Sequence, residues 1–165
     1  MIAAFLFLAL AAPPDTAWQP FEFLVGEWIG EGGGQPGQAS SGGFTFGFEL
    51  DGKILVRRSF SEYAATKDRP AFRHDDLTVI SRKAPGGPVR AVYYDNEGHV
   101  IEYAIEVADG GRKMVWVSAA EAGAPRYRFT YVRLEDGKLG LEFAIAPPGK
   151  PDEFATYVKA TARRK

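Results

Sequence analysis

Short runs rich in Val, Ile, Phe, Tyr and Thr, separated by turn sequences, recur along the chain beyond residue 18. No run keeps an apolar repeat of about 3.6 residues for three turns, so long amphipathic helices are not predicted. The pattern predicts an all-β protein. The predicted strands are at residues 27–32, 43–50, 53–62, 75–82, 89–96, 99–108, 112–119, 125–134, 138–146 and 155–162.

The connections between these runs are mostly short, as antiparallel neighbours require. Asp51-Gly52 and Asp136-Gly137 are Asp-Gly pairs flanked by strand-like sequence, which is typical of a type I′ hairpin turn. Successive hairpins that close on themselves form an up-and-down barrel without exposed edge strands. We therefore expect an antiparallel β-barrel of about ten strands, with room for a cavity and a short helix at 20–25 plugging one end.

Composition narrows the function classes. The chain has 165 residues, 45% of them hydrophobic, which suits one domain, predicted at residues 18–165. A formal net charge of -1 gives no basic surface for nucleic acid. Cysteine is absent, which excludes disulfides and thiolate metal sites. No zinc-protease, serine-hydrolase, phosphate-loop or dinucleotide motif occurs, so no catalytic residue is predicted from a motif.

Residues 1–17 are predicted to be an export signal. Residues 2–12, "IAAFLFLALAA", form an apolar run of signal-peptide length that is too short to span a bilayer, and Ala9 and Ala11 supply small residues for cleavage. The expected location is periplasmic or secreted, with no membrane span in the mature chain. The alternatives are a hydrophobic first strand or a wrongly chosen start codon.

The first Asp-Gly turn predicts a register. A two-residue loop at Asp51-Gly52 places Phe44, Phe46 and Phe48 on one face with Arg57, and three phenylalanines make that the interior face.

The same arithmetic at Asp136-Gly137 pairs Arg128 with Ile145, so Arg128 is also expected inside and Tyr127, Phe129 and Tyr131 outside. A buried guanidinium needs a partner, and a ligand carboxylate or phosphate is one candidate for both arginines. The alternatives are an internal Asp or Glu, a bulge that flips the register, or a head group near an open rim.

The stretch "FEFLVGEWIGEGGG", 21–34, places Trp28 at the start of the first strand, where it is expected to close the barrel beside the last strand. Arg163 and Arg164 are the cations expected to stack on its indole. Gly-x-Trp on the first strand with an arginine near the end of the last resembles the lipocalin and calycin pattern. The longer stretch "FLVGEWIGEG", 23–32, resembles the opening of nitrobindin-like proteins and of a related bacterial family of uncharacterised domains.

The resemblance implies a ten-stranded barrel and, in nitrobindins, haem held by a histidine on the closing strand, in a pattern resembling His-Leu-x-Ala-x-Leu-x-Arg. The corresponding stretch here is "YVKATARR", 157–164, with Tyr157 at the position of the histidine. Tyrosinate can hold ferric haem, so haem is one candidate cofactor. The alternative is that Tyr157 is a structural or ligand-contacting residue and that haem binding has been lost.

The two histidines give no metal motif. Residues 74–76, "HDD", alternate between opposite faces of a strand and do not converge on a metal. His99 follows a turn and is a candidate ligand-contacting group or general base at the barrel mouth, or simply an exposed turn histidine. Tyr93, Tyr94 and Tyr103 are the other candidate acid or base groups if the barrel is an enzyme.

Together these features predict an exported barrel that binds a hydrophobic or planar small molecule, with haem as one possibility. One alternative is an enzyme that uses the same cavity, either an isomerase or a haem protein acting on peroxide or nitrogen oxides. The other is a ligand-free interaction module of the cell envelope. No protein partner or oligomeric state is predicted.

Overall fold

The structure is a computed structural model that describes residues 16–31, 39, 41–84 and 86–165. It contains a short N-terminal 3-10 helix, Thr16–Leu24, and a single-turn 3-10 segment, Asp109–Gly111. The strands are β1 (Gly26–Glu31), β2 (Ser41–Glu49), β3 (Ile54–Tyr63), β4 (Phe72–Arg82), β5 (Val89–Asp95), β6 (Val100–Ala108), β7 (Lys113–Ser118), β8 (Arg126–Arg133), β9 (Leu139–Ala146) and β10 (Ala155–Arg164).

These strands form a closed antiparallel barrel in chain order, and β1 pairs with both β2 and β10. The predicted all-β class, the ten strands and the up-and-down topology are confirmed. Closure leaves no strand of the barrel with an unpaired edge, which is the physical reason why a sheet of this size closes on itself.

The N-terminal helix plugs one end of the barrel, as predicted, although it begins earlier in the chain than expected. Trp18, Phe21 and Leu24 are buried in the core, and the Trp18 ring lies 5.7 Å from that of Phe48 at the end of β2. Pro20 lies within this helix, which keeps its 3-10 geometry on both sides of the proline. We call this end, which carries the turn at 50–53, the plugged end, and the other the open end.

Burial differs between the two halves of the interior. Near the plugged end the inward side chains of Leu55, Ile80, Met114 and Leu139 are almost fully buried. Toward the open end, inward residues such as Ile101, Phe129 and Phe143 are only half-buried. The core therefore fills the plugged half and thins toward the open end.

The hairpin at Asp51-Gly52 has the predicted register. Phe46 pairs with Arg57 and Phe48 with Leu55, and both Asp51 and Gly52 have positive φ, as a type I′ turn requires.

The predicted register of the hairpin at Asp136-Gly137 is wrong by one residue. The loop has three residues, because the Leu134 N–H donates to the Lys138 carbonyl at 2.9 Å and the Gly137 N–H donates back to the Leu134 carbonyl at 3.2 Å. Gly137 takes a left-handed φ of 79°, as in a three-residue loop with a glycine bulge. Arg128 therefore pairs with Ala144 and faces outward.

The same shift turns three aromatic residues inward. Tyr127 pairs with Ile145, Phe129 with Phe143 and Tyr131 with Leu141. The expectation that Tyr127, Phe129 and Tyr131 face outward is thus wrong, and β8 contributes the main aromatic row of the interior.

Two segments of the sequence lie wholly or mostly outside the residues that the structure describes. The apolar run at 2–12 lies outside the described residues, as does most of the glycine-rich segment after β1. Within the described residues, no helix combines the length and apolarity needed to cross a membrane.

Candidate ligand-binding site at the open end

The inward side chains of the open half line the barrel interior, and we call this lining the cup; their identities follow from the strand register. Its wall combines aromatic, aliphatic and polar groups. The wall residues are Ser59, Asp76, Tyr93, Asp95, Ile101, Ser118, Tyr127, Phe129, Phe143, Ile145 and Val158. Below them Arg57, Trp116 and Tyr131 form a floor.

An ion pair crosses the floor of the cup. Arg57 Nη1 donates to Asp76 Oδ1, and the two side chains are 10% and 7% exposed, respectively. Burial lowers the pKa of Arg57, but the Asp76 carboxylate, with smaller contributions from Tyr131 and Tyr93, outweighs burial and the net pKa is raised. The internal acidic partner considered from the sequence is thus present, and the predicted contact of Arg57 with a ligand stays a prediction.

Aromatic rings surround the same guanidinium. Arg57 Cζ lies 5.3 Å from the centre of the Phe44 ring and 5.7 Å from that of Phe129. Trp116 and Tyr131 pack against each other with ring centres 5.3 Å apart. The floor is therefore a charge pair enclosed by ring faces, which suits a planar ligand.

Tyrosine hydroxyls supply most of the remaining polar surface. Burial raises the pKa of Tyr93, Tyr103 and Tyr131 well above the usual value near 10.0. All three therefore stay protonated at neutral pH and are available as neutral donors and acceptors. Of the candidate acid or base groups, Tyr93 and Tyr103 face the interior, whereas Tyr94 is 43% exposed on the outside.

A hydrogen-bonded network occupies the rim beside β4 and β5. Asp95 Oδ2 accepts from the Tyr93 hydroxyl at 3.1 Å and from His99 Nδ1 at 2.8 Å. Its Oδ1 accepts the backbone N–H groups of Glu97 and His99 at 3.0 and 2.9 Å. Burial raises the pKa of Asp95, but these hydrogen bonds, from His99 first, prevail and the net pKa is lowered.

His74 extends the network across the rim. Its Nδ1 lies 2.7 Å from Glu97 Oε1 and its Nε2 lies 3.0 Å from the Tyr93 hydroxyl. Both ring nitrogens are therefore engaged. Within the described residues no group of three or more His, Asp and Glu side chains is arranged to hold a metal ion.

His99 lies at the rim as a largely exposed turn residue, with its side chain 60% exposed. Its contacts are with Asp95, so it orders the β5–β6 turn rather than projecting into the cup. A ligand contact by His99 stays a prediction.

Tyr157 lies at the open end, where a bulge interrupts the pairing of β10 with β9 between Thr156 and Val158. The bulge frees Tyr157 from strict alternation. Its ring meets Phe143, which faces the interior, edge-on at 6.1 Å between centres, and Tyr157 is 48% exposed.

The predicted phenylalanine row divides between floor and plug. Phe44 and Phe46 are buried and contact Tyr131 at 6.3 and 5.6 Å between ring centres. Phe48 is 38% exposed and packs on Trp18 of the plug, away from the cup.

Arg128 lies outside the barrel, in consequence of the corrected register. Its guanidinium lies 4.5 Å from the centre of the Phe154 ring and 3.7 Å from Glu142 Oε1. An outward side chain on this face does not line the cup.

Barrel closure involves Trp28 and Arg164. Arg164 Cζ stands 4.5 Å over the Trp28 ring, and the Trp28 indole Nε1 donates to the Leu24 carbonyl at 2.7 Å. Arg163 faces the other side of β10, where its Nε lies 3.5 Å from Glu31. Of the two predicted arginines, only Arg164 stacks on the indole.

Sequence reasoning missed the residues that complete the floor. Asp76 was considered only as part of the "HDD" stretch, which does not converge on a metal, whereas the pairing of Ser59 with Asp76 places it on the same face as Arg57. Phe129 and Tyr131 were expected outside because of the register error in β8, and no turn in the sequence fixed the inward face of β7, which carries Trp116. The alternation of aromatic residues at Tyr127, Phe129 and Tyr131 is the signal that could have found them.

Two surface depressions of about 740 Å³ each lie apart from the floor. One is beside the plug, near Phe23 and Arg133. The other lies on the barrel wall formed by β1, β2 and β3, where Gly30, Gly42 and Gly43 contribute no side chains. Its lining includes the interior residue Ser59.

The fold and the cup define the class: a closed ten-stranded antiparallel barrel, plugged at one end and compatible with a calycin-like fold. No family model matches the chain, and no curated protein is significantly similar to it.

Proposed function

We propose that the cup at the open end binds a hydrophobic or planar small molecule. The observation that carries the proposal is the contrast in packing along the barrel axis. The plugged half is filled by buried side chains, whereas the open half presents Tyr127, Phe129 and Phe143 half-buried on its inner wall. Concave, mostly aromatic sites with a few fixed polar groups are the usual binding sites of small molecules.

The same contrast disfavours a filled barrel that acts only as an interaction module. A ligand-free module gains most from completing its core at both ends, since each buried aromatic ring stabilises the fold. Half-exposed rings around a buried ion pair are better explained by a ligand that covers them.

A fluorescence titration with phenylnaphthylamine, a neutral apolar dye, tests this proposal. We expect saturable enhancement of emission by the purified protein. Phe143→Ala removes a ring of the wall and should weaken binding by about tenfold. Tyr94→Ala removes a ring from the outer face of β5, outside the cup, and serves as the matched control. Absence of saturable enhancement, or equal losses in both variants, would contradict the proposal.

Haem is a second candidate, favoured by the position of Tyr157. The β10 bulge brings Tyr157 to the open end beside Phe143, so a phenol oxygen lies at an aromatic mouth. Haem bound there would supply redox or gas-binding chemistry, and the protein would contribute an axial oxygen and a hydrophobic contact surface.

Titration with ferric haem, followed by visible absorption, tests this candidate. A saturable spectrum that changes in Tyr157→Phe would support it, with Tyr94→Phe as the control because Tyr94 is 43% exposed on the outer face of β5. A spectrum identical in all three proteins would exclude Tyr157 as a ligand.

We also propose that residues 1–17 direct export. Amino-terminal sequencing of protein recovered from the cell envelope or medium tests this, since an intact residue 1 in an unexported product would contradict it.

A further inference from the structure

Two hydrogen-bond donors on the floor of the cup have no acceptor. Among the described residues, no acceptor lies within hydrogen-bonding reach of Arg57 Nε or Trp116 Nε1. Arg57 is 8% exposed and Trp116 is 3% exposed, so solvent does not serve them either. A buried N–H without a partner is costly, and native proteins leave few of them.

Both donors adjoin the same residue. The Trp116 and Tyr131 rings are in contact, and the Arg57 guanidinium is near enough to Tyr131 to lower the pKa of its hydroxyl against the larger effect of burial. By contrast, the indole N–H of Trp28 is satisfied by the Leu24 carbonyl. The unmet donor capacity is thus concentrated around Tyr131 at the base of the cup.

The charges around the floor disfavour an anion. The one guanidinium of the floor is already neutralised by Asp76. The Asp95 carboxylate on the wall is 3% exposed, and Glu97 lies on the rim. A ligand carboxylate would therefore lie near the Asp76 and Asp95 carboxylates, and among the described residues of the floor no cation is left to balance it, so its desolvation would go uncompensated.

We propose that the cup selects a neutral ligand whose carbonyl-type oxygen, attached to an apolar or aromatic body, accepts hydrogen bonds at the floor from Arg57 or Trp116. This inference rests on the proposed function and specifies its ligand class. The aromatic wall holds the body of the ligand, and the unpaired donors fix its orientation and distinguish it from a hydrocarbon of the same shape.

Three naphthalenes substituted at the same ring position form a matched set of probes: acetylnaphthalene, ethylnaphthalene and naphthoate. The acetyl and ethyl groups have similar size, but only the acetyl group carries an acceptor, and naphthoate adds the negative charge. Calorimetric titration should show acetylnaphthalene binding about tenfold more tightly than ethylnaphthalene, which corresponds to one net hydrogen bond. Naphthoate should bind at least tenfold more weakly than acetylnaphthalene.

Two tryptophan variants test which indole N–H accounts for the preference for acetylnaphthalene over ethylnaphthalene. Trp116→Phe removes an unpaired donor and should narrow the preference for acetyl over ethyl. Trp28→Phe removes an indole N–H that already has a partner and should leave the preference unchanged, provided that circular dichroism shows both variants folded.

The outcomes separate this inference from the proposed function. Equal binding of all three probes, tightest binding of naphthoate, or failure of all three while phenylnaphthylamine binds would each overturn the neutral-acceptor assignment and leave the cup a binding site. Failure of every probe, phenylnaphthylamine included, would overturn the proposed function and this inference with it.

Discussion

The Arg164 guanidinium lies on the Trp28 indole, 4.5 Å from Cζ to the ring centre, and these two residues are direct cross-strand partners where β10 meets β1. Arg164 Nη1 also donates to the Val25 carbonyl at 2.7 Å. One side chain thereby joins the last strand, the first strand and the segment that follows the plug. The contact closes the barrel and holds the plug in one arrangement.

Loss of this arginine should weaken the closure. Arg164→Ala removes the cation-π contact and the bond to Val25, and we expect unfolding by denaturant to show a loss of about 2 kcal/mol. Arg163→Ala is the control, because its exposed contact with Glu31 is worth less than about 1 kcal/mol. Equal losses of unfolding free energy in the two variants would show that the stacked contact stabilises the barrel no more than an exposed ion pair does.

Gly26 is needed where β1 begins. Its φ is 127°, and a Cβ built there would lie 2.5 Å from Arg164 Nη1. Gly26→Ala should therefore strain the backbone and displace the arginine, with a loss of about 2 kcal/mol in the free energy of unfolding. Gly47→Ala on β2 is the matched control, since no atom lies within 4 Å of its Cβ position. Gly26→Ala should melt at a lower temperature than Gly47→Ala. Equal melting temperatures would contradict the close approach of residue 26 to Arg164.

The sequence predicts the barrel better than it predicts the cup. The number and the order of the strands follow from the repeated hairpins. Closure of the sheet then pairs the first strand with the last and leaves no exposed edge. The interior face of β8 does not follow, because an Asp-Gly pair fits both a two-residue and a three-residue loop, and one added residue, here Glu135, reverses every side chain of the strand. The position of Tyr157 likewise depends on a bulge that strand alternation alone does not reveal.

Asp95 should make stability depend on pH in the acidic range. Its folded-state pKa lies below the usual 3.8, so the stabilisation is present above about pH 4 and is lost as pH falls through the folded-state pKa. At pH 7, Asp95→Asn should lower the free energy of unfolding by about 2 kcal/mol, since a buried carboxylate loses charge-assisted bonds to Tyr93 and His99.

That difference between Asp95→Asn and wild type should shrink as the pH falls through the folded-state pKa of Asp95, below which both side chains are neutral. Asp75→Asn is the comparison, because the Asp75 side chain is 51% exposed and its loss should matter little at either pH. A pH-independent difference would mean that Asp95 acts through shape rather than charge.

The Arg57–Asp76 pair should show strong coupling in a double-mutant cycle. Asp76→Leu alone leaves a buried guanidinium without its counter-ion, and Arg57→Met alone leaves a buried carboxylate, so each should cost about 3 to 5 kcal/mol. The double variant removes both charges and fills the space with apolar atoms, so it should recover much of that loss. Arg58 and Glu49 provide the reference cycle, since this pair is 60% and 45% exposed on the outer face of the same hairpin and should couple by less than about 1 kcal/mol. If the two single losses simply add in the Arg57 and Asp76 double variant, the floor of the cup does not depend on mutual neutralisation, and the argument that it rejects anionic ligands loses its physical basis.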